Sequence, residues 1–544
     1  MKLQAFLALP ALAGALVAAS ASAATSPLIV DRQRVDREPP AAPTPAPRRQ
    51  PRTPQGPAQT PAALPAGVTI HSVQVVGSTA TPAQIGPASR PFIGKPLDKP
   101  TLQAIAQAVA AAYARTDIAL YTVDVPQQDF AGGVVQVRVT EGYVEHVFLT
   151  GPAANGNQRL VTRYAARVTV EHPLRRSTLE RYLSLIRDIP GLKVDPKLVA
   201  GSQPGAVRLM LDLKRRPVQI SLSVDDRGTA YLGRGQLTLE ADFNSIVRQG
   251  DQTRLIVAAP TDFEQYHYYA VSHSEPIGDN GLTATGQFGY LATRPRGSPV
   301  RGHVTLGSAQ LSYPVIRSYN DNLYVGGEFD LLNSDNGAFG AVITSEHTRV
   351  ARGSVSYGHT GERRSWQAAA SVSQGVDGLG ARVNPVLGRP NFTKGTLQGG
   401  FDQRMWKRFV LRLRATSQLA STALPVSEAF SLGGDQYGRA FPSAYVLGDS
   451  GAAGSAEFAW QPPAPTAFLE GSELYTFLDG GHADVRSRIG LPGVTYRLAS
   501  AGGGVRFDLA QKAVFTVEAA RAVQTPFPTD SRPWRLILGW RGAF

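Results

Sequence analysis

The sequence predicts a mainly β protein, a transmembrane antiparallel β-barrel preceded by two small α+β domains and an N-terminal helix and linker. Three observations predict this fold. From Pro217 onward, segment after segment alternates apolar and polar residues. Before that point, two segments of similar length repeat one order of elements, and the chain ends on a strand rich in aromatic residues. A barrel is compatible with near-average hydropathy, because only alternate residues of each strand face lipid.

The first 67 residues predict an export signal followed by a tether. Residues 1–23 combine a lone Lys2, an apolar run and a small-residue cleavage site, which is typical of a secretory signal peptide. A membrane anchor is the alternative, but the apolar run is shorter than the about 20 residues that a span needs. Residues 24–38 are a candidate helix, and residues 39–67 form a Pro-rich linker that cannot bury a core. The protein is therefore expected to leave the cytoplasm.

Residues 68–142 and 143–216 predict two similar mixed domains in tandem. In the first, Asp98 starts a helix with one apolar face. In the second, a capping box at Ser177–Glu180 starts a helix that ends before Pro190. Each domain is too small to contain a deep catalytic pocket. Their sheet edges, however, could pair with an extended peptide.

Residues 217–544 are long enough for 16 strands of about 20 residues each, turns included. The first predicted strand places one set of apolar residues on a single face: Val218, Ile220, Leu222 and Val224. The last strand does the same with Trp534, Leu536, Leu538, Trp540 and Phe544. A large soluble β-sandwich could also alternate. It would not explain the aromatic residues at both ends of the last strand, which match the interfacial girdles of a membrane barrel.

Composition argues against several function classes. The chain has no cysteine, so thiol catalysis and Cys-based metal sites are excluded. Its formal charge is +13, but the arginines are spread along the chain, which argues against nucleic acid and favours contacts with an interior or with lipopolysaccharide. We find no GxSxG, HExxH or GxxxxGK[ST] motif. We therefore expect no enzyme, no cofactor and no nucleotide-driven motor.

One glycine-rich segment, GGDQYGRAF at 433–441, contains a single arginine, Arg439. Gly433 and Gly434 allow the backbone to turn tightly and approach a wall. A guanidinium makes its strongest contacts with a fixed carboxylate. Two interpretations follow: a solvated surface loop, or a latch whose arginine binds an acid elsewhere in the chain.

Taken together, these features resemble the TpsB transporters of two-partner secretion, which include the haemolysin and filamentous-haemagglutinin exporters and are related to BamA. In this resemblance, residues 68–142 and 143–216 correspond to two POTRA domains. DRQR at 31–34 is similar to part of the family's N-terminal plug helix. The segment at 424–441, followed by GDSG at 448–451, is similar to the family's sixth external loop.

The resemblance implies the site residues as well. Arg439 is expected to meet Asp479 in the segment FLDGG at 477–481. The predicted loop-six latch consists of Arg439, Phe441, Gly433 and Gly434, and the predicted barrel-wall partners are Asp479, Phe477 and Gly481. Gly438 stands where the family usually has Val, and Ala440 stands where it usually has Gly, so the shape of the tip departs from the pattern. The pair could brace the barrel or gate the pore.

The function implied by the resemblance is a pore in the outer membrane of a Gram-negative bacterium, with the POTRA domains in the periplasm. The pore would translocate a TpsA-type exoprotein, such as an adhesin, haemolysin or contact-dependent toxin, after binding its extended segments at POTRA sheet edges. Trp540 and Phe544 would carry the signal for the barrel assembly machinery, and the barrel would contact lipid and lipopolysaccharide. The alternatives are a BamA-like assembly factor and an outer-membrane hydrolase.

Overall fold

The structure, a computed structural model of the chain, describes residues 64–544 apart from 66, 157, 489, 491, 511, 529 and 531–533. The predicted signal peptide, the candidate plug helix and nearly all of the predicted linker lie outside the described residues. The described chain forms two compact units: residues 64–216 together with 317–319, and residues 217–316 together with 320–544. None of the helices described is both long and apolar enough to cross a membrane.

The first mixed domain packs two helices on a three-stranded sheet. Its elements are β1 (Ser72–Val76), α1 (Pro82–Ser89), α2 (Lys99–Tyr113), β2 (Tyr121–Asp124) and β3 (Val134–Glu141). The strand order is β1–β3–β2, with β3 parallel to β1 and antiparallel to β2. Helix α2 begins where predicted, because the Asp98 carboxylate accepts a hydrogen bond from Thr101 N at 2.7 Å. The core of this domain includes Leu102, Ile105, Val109 and Tyr113 from α2.

The second mixed domain repeats this order of elements. It contains β4 (Tyr143–Thr150), α3 (Arg159–Val168), α4 (Arg176–Arg187), β5 (Leu192–Ala200) and β6 (Ala206–Arg215), with strand order β4–β6–β5. The predicted capping box is wrong. Helix α4 begins at Arg176, and the side chain of its N-cap residue makes no capping hydrogen bond. The Asp117 carboxylate, which lies outside the helix, accepts hydrogen bonds from both the hydroxyl of Ser177, at 2.7 Å, and its backbone N–H. The Ser177 hydroxyl is therefore used by Asp117 and does not form the predicted capping box.

Tyr113 links α2 to the sheet of the first domain. It is fully buried, and its hydroxyl donates to Glu141 Oε1 at 2.8 Å. Burial raises the pKa of Tyr113 from its ordinary value near 10 to about 12. The fold therefore favours the neutral phenol. Its contribution to stability is complete below pH 10 and is lost as the pH rises through 12.

We expect an alkaline loss of helical structure that depends on this phenol. In the described residues all the α-helices belong to the two mixed domains, so the helical circular-dichroism signal reports on them. That signal should fall between pH 10 and 12 in the wild type. In Tyr113→Phe the step should be weaker, while stability at neutral pH falls by about 1 kcal/mol through the lost hydrogen bond. An identical alkaline step in both proteins would assign it to other groups.

The predicted fold class is confirmed, because sixteen antiparallel strands close into a barrel in the described part of the chain. These strands are β7 (Val218–Asp225), β8 (Gln236–Asn244), β9 (Gln252–Pro260), β10 (Tyr266–Ile277), β11 (Leu282–Thr293), β12 (Arg301–Arg317), β13 (Asp321–Ala338), β14 (Ala341–Thr360), β15 (Arg364–Gly375), β16 (Thr393–Met405), β17 (Phe409–Ala420), β20 (Ser450–Trp460), β21 (Glu473–Val485), β22 (Val494–Leu509), β23 (Ala513–Gln524) and β24 (Trp534–Ala543). The barrel closes where β24 pairs with β7.

The alternation predicted from the sequence divides each strand between two faces. On β24, Trp534 and Leu536 are 64% and 60% exposed, whereas Ile537 between Leu536 and Leu538 is buried. Exposed apolar side chains of a barrel face lipid. The longest connection, residues 421–449 between β17 and β20, contains a short hairpin of β18 (Phe430–Leu432) and β19 (Val446–Gly448). We call this connection loop six.

Candidate functional site

Loop six folds against the inner face of the barrel wall. Along β21, the side chains that contact the loop alternate with exposed apolar side chains such as Leu474 and Leu478, which face lipid. Phe441, near the tip of the loop, is only 5% exposed. The apolar cluster shared by the loop and the wall consists of Phe430, Leu432, Phe441, Val446, Ala453, Ala483, Leu498 and Ala522.

Three glycines with positive φ shape the tip: Gly433 at 101°, Gly434 at 107° and Gly438 at 90°. The amide of Gly433 donates to Tyr437 O at 2.8 Å, and the amide of Gly434 donates to Phe441 O at 3.2 Å. These bonds close a compact turn. The turn presents the next side chain, Arg439, to the wall.

Arg439, predicted to meet Asp479, contacts three carboxylates. Its Nη1 donates to Glu457 Oε2 at 3.0 Å and to Glu518 Oε2 at 3.2 Å, while its Nε lies 3.4 Å from Asp479 Oδ2. The guanidinium also lies over the ring of Phe477, 4.2 Å from its centroid. The arginine side chain is 10% exposed. The structure thus brings the predicted pair together inside a larger acidic pocket on β20, β21 and β23.

Asp479 holds the backbone of the tip more closely than it holds the guanidinium. Its Oδ1 accepts hydrogen bonds from Gly438 N at 2.7 Å and Arg439 N at 3.3 Å, and a third from the Ser500 hydroxyl. Its contact with Arg439 Nε is an ion pair without hydrogen-bond geometry. The carboxylate therefore fixes the path of the loop backbone as well as neutralising charge.

Two further arginines position the wall carboxylates. Arg506 on β22 donates to Glu457 and Glu473, each at 2.7 Å. Arg412 on β17 donates to the same two acids at 2.8 and 2.9 Å. The wall thus presents a network of charges joined across four strands, β17 and β20–β22. Because Glu457 and Glu473 already have cationic partners, loop six docks on a preorganised surface.

The remaining predicted residues lie on the wall and at the closing strand. A Cβ at Gly481 would clash with Ala452 O, so β20 and β21 meet closely there. Trp540 is opposite Val224 in the pairing of β24 with β7. Phe544 is 76% exposed at the end of the chain. Neither aromatic residue belongs to the acidic pocket.

Sequence reasoning missed Glu457 and Glu518, the two acids that hydrogen-bond Arg439. A signal for them exists in their strands: each is the lone acid of a strand segment of mostly small and apolar residues, SGAAGSAEFAW in β20 and AVFTVEAARAV, which also contains Arg521, in β23. A single acid at an inward-facing position of such a strand must find a cation, because a buried lone charge is costly. The strand pairing that brings the two acids together is not readable from the sequence.

The backbone at Gly438 favours glycine, and we expect Gly438→Val to displace the tip. Gly438 has a φ of 90°, which a β-branched residue adopts only at a cost of about 1–3 kcal/mol. A Cβ would also lie 2.6 Å from Leu498 Cδ1. Gly438→Val should therefore raise the frequency of channel openings in planar bilayers. Ala440→Gly, at a position without a positive φ in the structure, is the matched control and should change little.

The arrangement can hold a loop on the wall through charge pairs and hydrogen bonds. In the described residues no group of three or more His, Asp or Glu side chains is arranged to bind a metal ion. The pocket instead combines one buried guanidinium from the loop with acids fixed in the wall. Such a contact is strong when complete and costly when half of it is removed.

The chain is similar to proteins of known families. The chain matches the family model described as haemolysin secretion/activation protein ShlB/FhaC/HecB over residues 206–507, and the ShlB-type POTRA domain over residues 68–142. It is 24% identical to the outer membrane transporter CdiB of Dickeya dadantii over 65% of this chain and 65% of that protein. It is 25% identical to the heme/hemopexin transporter protein HuxB of Haemophilus influenzae over 30% of this chain and 29% of that protein.

A solved structure, CdiB from Escherichia coli, superposes with a TM-score of 0.72 over 95% of both chains at 20% identity. This likeness supports the fold. The first family match covers more than half of the chain and confirms the resemblance to the TpsB transporters. The chain spans about two thirds or less of the length of these curated relatives, and it belongs to the family of haemolysin secretion/activation proteins ShlB/FhaC/HecB.

Proposed function

We propose that this protein exports a large exoprotein from the periplasm to the cell surface through its barrel, without nucleotide hydrolysis. The observation that carries the proposal is loop six, which lies on the inner wall with Arg439 buried among three carboxylates. A loop held by polar contacts in a barrel interior can move aside for a passing chain, because water and the passing polar groups can replace those contacts. The domain division that we propose is 68–142 and 143–216 for two POTRA domains and 217–544 for the barrel.

We infer that the exoprotein first binds as an extended strand at the outer edge of β4. Both β4 and β5 are edge strands of the second sheet. Strand β5 carries Pro196 and alternating charges, which protect an edge against pairing. Strand β4 has no proline and exposes Phe148 by 43%. Main-chain hydrogen bonds along β4 would supply affinity, and contacts such as Phe148 would supply selection.

Three further contacts belong to this proposal. The segment at 24–38 would plug the resting pore, the strand ending in Trp540 and Phe544 would be read by the barrel assembly machinery, and outward-facing side chains would contact lipid and lipopolysaccharide. Folding of the exoprotein outside the cell would supply direction, because a folded segment cannot slide back. No nucleotide is needed in that scheme.

The proposal is tested by secretion in a Gram-negative host that lacks a related transporter. A co-expressed TpsA-type exoprotein from the same organism should reach the medium only when this chain is present. The substitution Val147→Pro should block strand pairing at the β4 edge and reduce secretion of the exoprotein about tenfold or more. Val199→Pro on β5 should have a smaller effect on secretion. Secretion that is independent of this chain, together with lower levels of other outer-membrane barrels in its absence, would instead indicate a BamA-like assembly factor.

A further inference from the structure

A second buried ion pair holds loop six near its start. Glu428 belongs to a short helical turn, Val426–Glu428, and is 1% exposed. Its Oε2 lies 2.7 Å from Nζ of Lys394, the second residue of β16, whose side chain is 7% exposed. Arg352 on β14 approaches the same oxygen at 3.9 Å. Arg352 also pairs with Asp330 at 2.9 Å, so the charge of Glu428 is neutralised mainly by Lys394.

The backbone around Glu428 is fixed as firmly as its side chain. Glu346 on β14 accepts hydrogen bonds from Val426 N at 2.9 Å and Ser427 N at 3.0 Å. Lys394 Nζ also donates to the carbonyl oxygen of Glu428 at 3.0 Å. Gln418 on β17 donates to that carbonyl at 3.1 Å. The start of the loop is thus fastened to β14, β16 and β17.

The two attachment points differ in place and in polarity. At the tip, the loop supplies the cation Arg439 and strands β20, β21 and β23 supply acids. Near the start, the loop supplies the acid Glu428 and strands β14 and β16 supply cations. Because the polarities are opposite, neither loop charge can take the place of the other. Loop six is therefore pinned to two sectors of the wall.

We propose that Glu428 and Lys394 form an outer anchor that keeps loop six closed independently of the Arg439 tip, so that opening requires release at both points. This inference rests on the proposed export function. Release of the tip alone frees the residues around Arg439 but leaves the start of the loop fixed at Lys394, close to the first residue of β16. Removal of one partner of the anchor leaves the other charge buried, which weakens the closed state.

The test is a double-mutant cycle on the purified full-length protein in planar bilayers. The variants are Lys394→Met, Glu428→Gln and the two combined, and Lys407→Met, an exposed lysine in the turn after β16, controls for the loss of one charge. We expect each single variant of the anchor to raise the frequency of large openings about tenfold. The combined variant should open little more than either one, because contacting residues couple. Heat-modifiable gel mobility identifies the variants that are folded.

Independence from the tip is tested by adding Lys394→Met to Arg439→Ala. If the two anchors act independently, the combined variant should open more often than either single variant. Folded single variants that open like the wild type, or additive effects within the cycle, would overturn the outer anchor while leaving the export function intact. A barrel that conducts in no variant, including Arg439→Ala, would overturn the export function and the outer anchor with it.

Discussion

Arg439→Ala is expected to release the tip of loop six and to raise the frequency of barrel openings, although Glu428 still anchors the start of the loop. The substitution removes hydrogen bonds to Glu457 and Glu518, the ion pair with Asp479 and the contact with the Phe477 ring. Removing one partner of a buried charge pair costs about 3–5 kcal/mol, and about 3 kcal/mol corresponds to two orders of magnitude in the ratio of closed to open barrels. Large openings in planar bilayers should increase accordingly, and exoprotein secretion should fall.

Arg439→Lys should restore only part of the closed fraction of barrels that Arg439→Ala loses. An ammonium is a point charge and cannot hydrogen-bond Glu457 and Glu518 while it covers the Phe477 ring as a planar guanidinium does. Arg254→Ala is the control, because Arg254 pairs with Asp242 between β9 and β8 at 2.6 Å. If Arg439→Ala lowers the heat resistance of the barrel but leaves its openings unchanged, the arginine braces the barrel and does not gate it.

The fold was predictable because its signals are local. Apolar and polar residues alternate along each strand, so strand faces follow from the pleat alone. The Asp98 helix start and the apolar face that follows it also depend on a few neighbouring residues. The capping box at Ser177 failed for the opposite reason. Its hydroxyl bonds to Asp117, which is distant in sequence, and no local pattern reports such a competitor.

The candidate site was predictable only in part, because most of it is assembled by strand register. Arg439 and Asp479 each lie in a recognisable segment, and the structure places them 3.4 Å apart. Glu457, Glu518 and the outer anchor carry no segment of that kind. Their partners lie on loop six or on other strands, and these residues meet only once the strands have paired in register. A single acidic residue in a mostly apolar strand indicates such a position. The sequence does not indicate which charged residues will pair in the folded barrel.

Asp479→Ala and Asp479→Asn should differ, and the difference tests how the wall holds the tip. The Asp479 Oδ1 accepts hydrogen bonds from Gly438 N, Arg439 N and the Ser500 hydroxyl. An asparagine oxygen can keep all three, whereas alanine leaves buried donors unpaired at about 1–3 kcal/mol each. Asp479→Asn should therefore remain mostly closed in planar bilayers, and Asp479→Ala should open nearly as often as Arg439→Ala.

A simple ion-pair lock makes a different prediction for these variants. If charge neutralisation of Arg439 were the whole role of Asp479, the alanine and asparagine variants would open equally often, since both lack the negative charge. Ser500→Ala provides the matched control, because it removes one donor to Oδ1 and leaves the charge and both backbone bonds. We expect Ser500→Ala to behave like the wild type. The Arg439 guanidinium keeps Glu457 and Glu518 in every one of these variants, so any opening beyond the asparagine level reports on the backbone bonds of the tip.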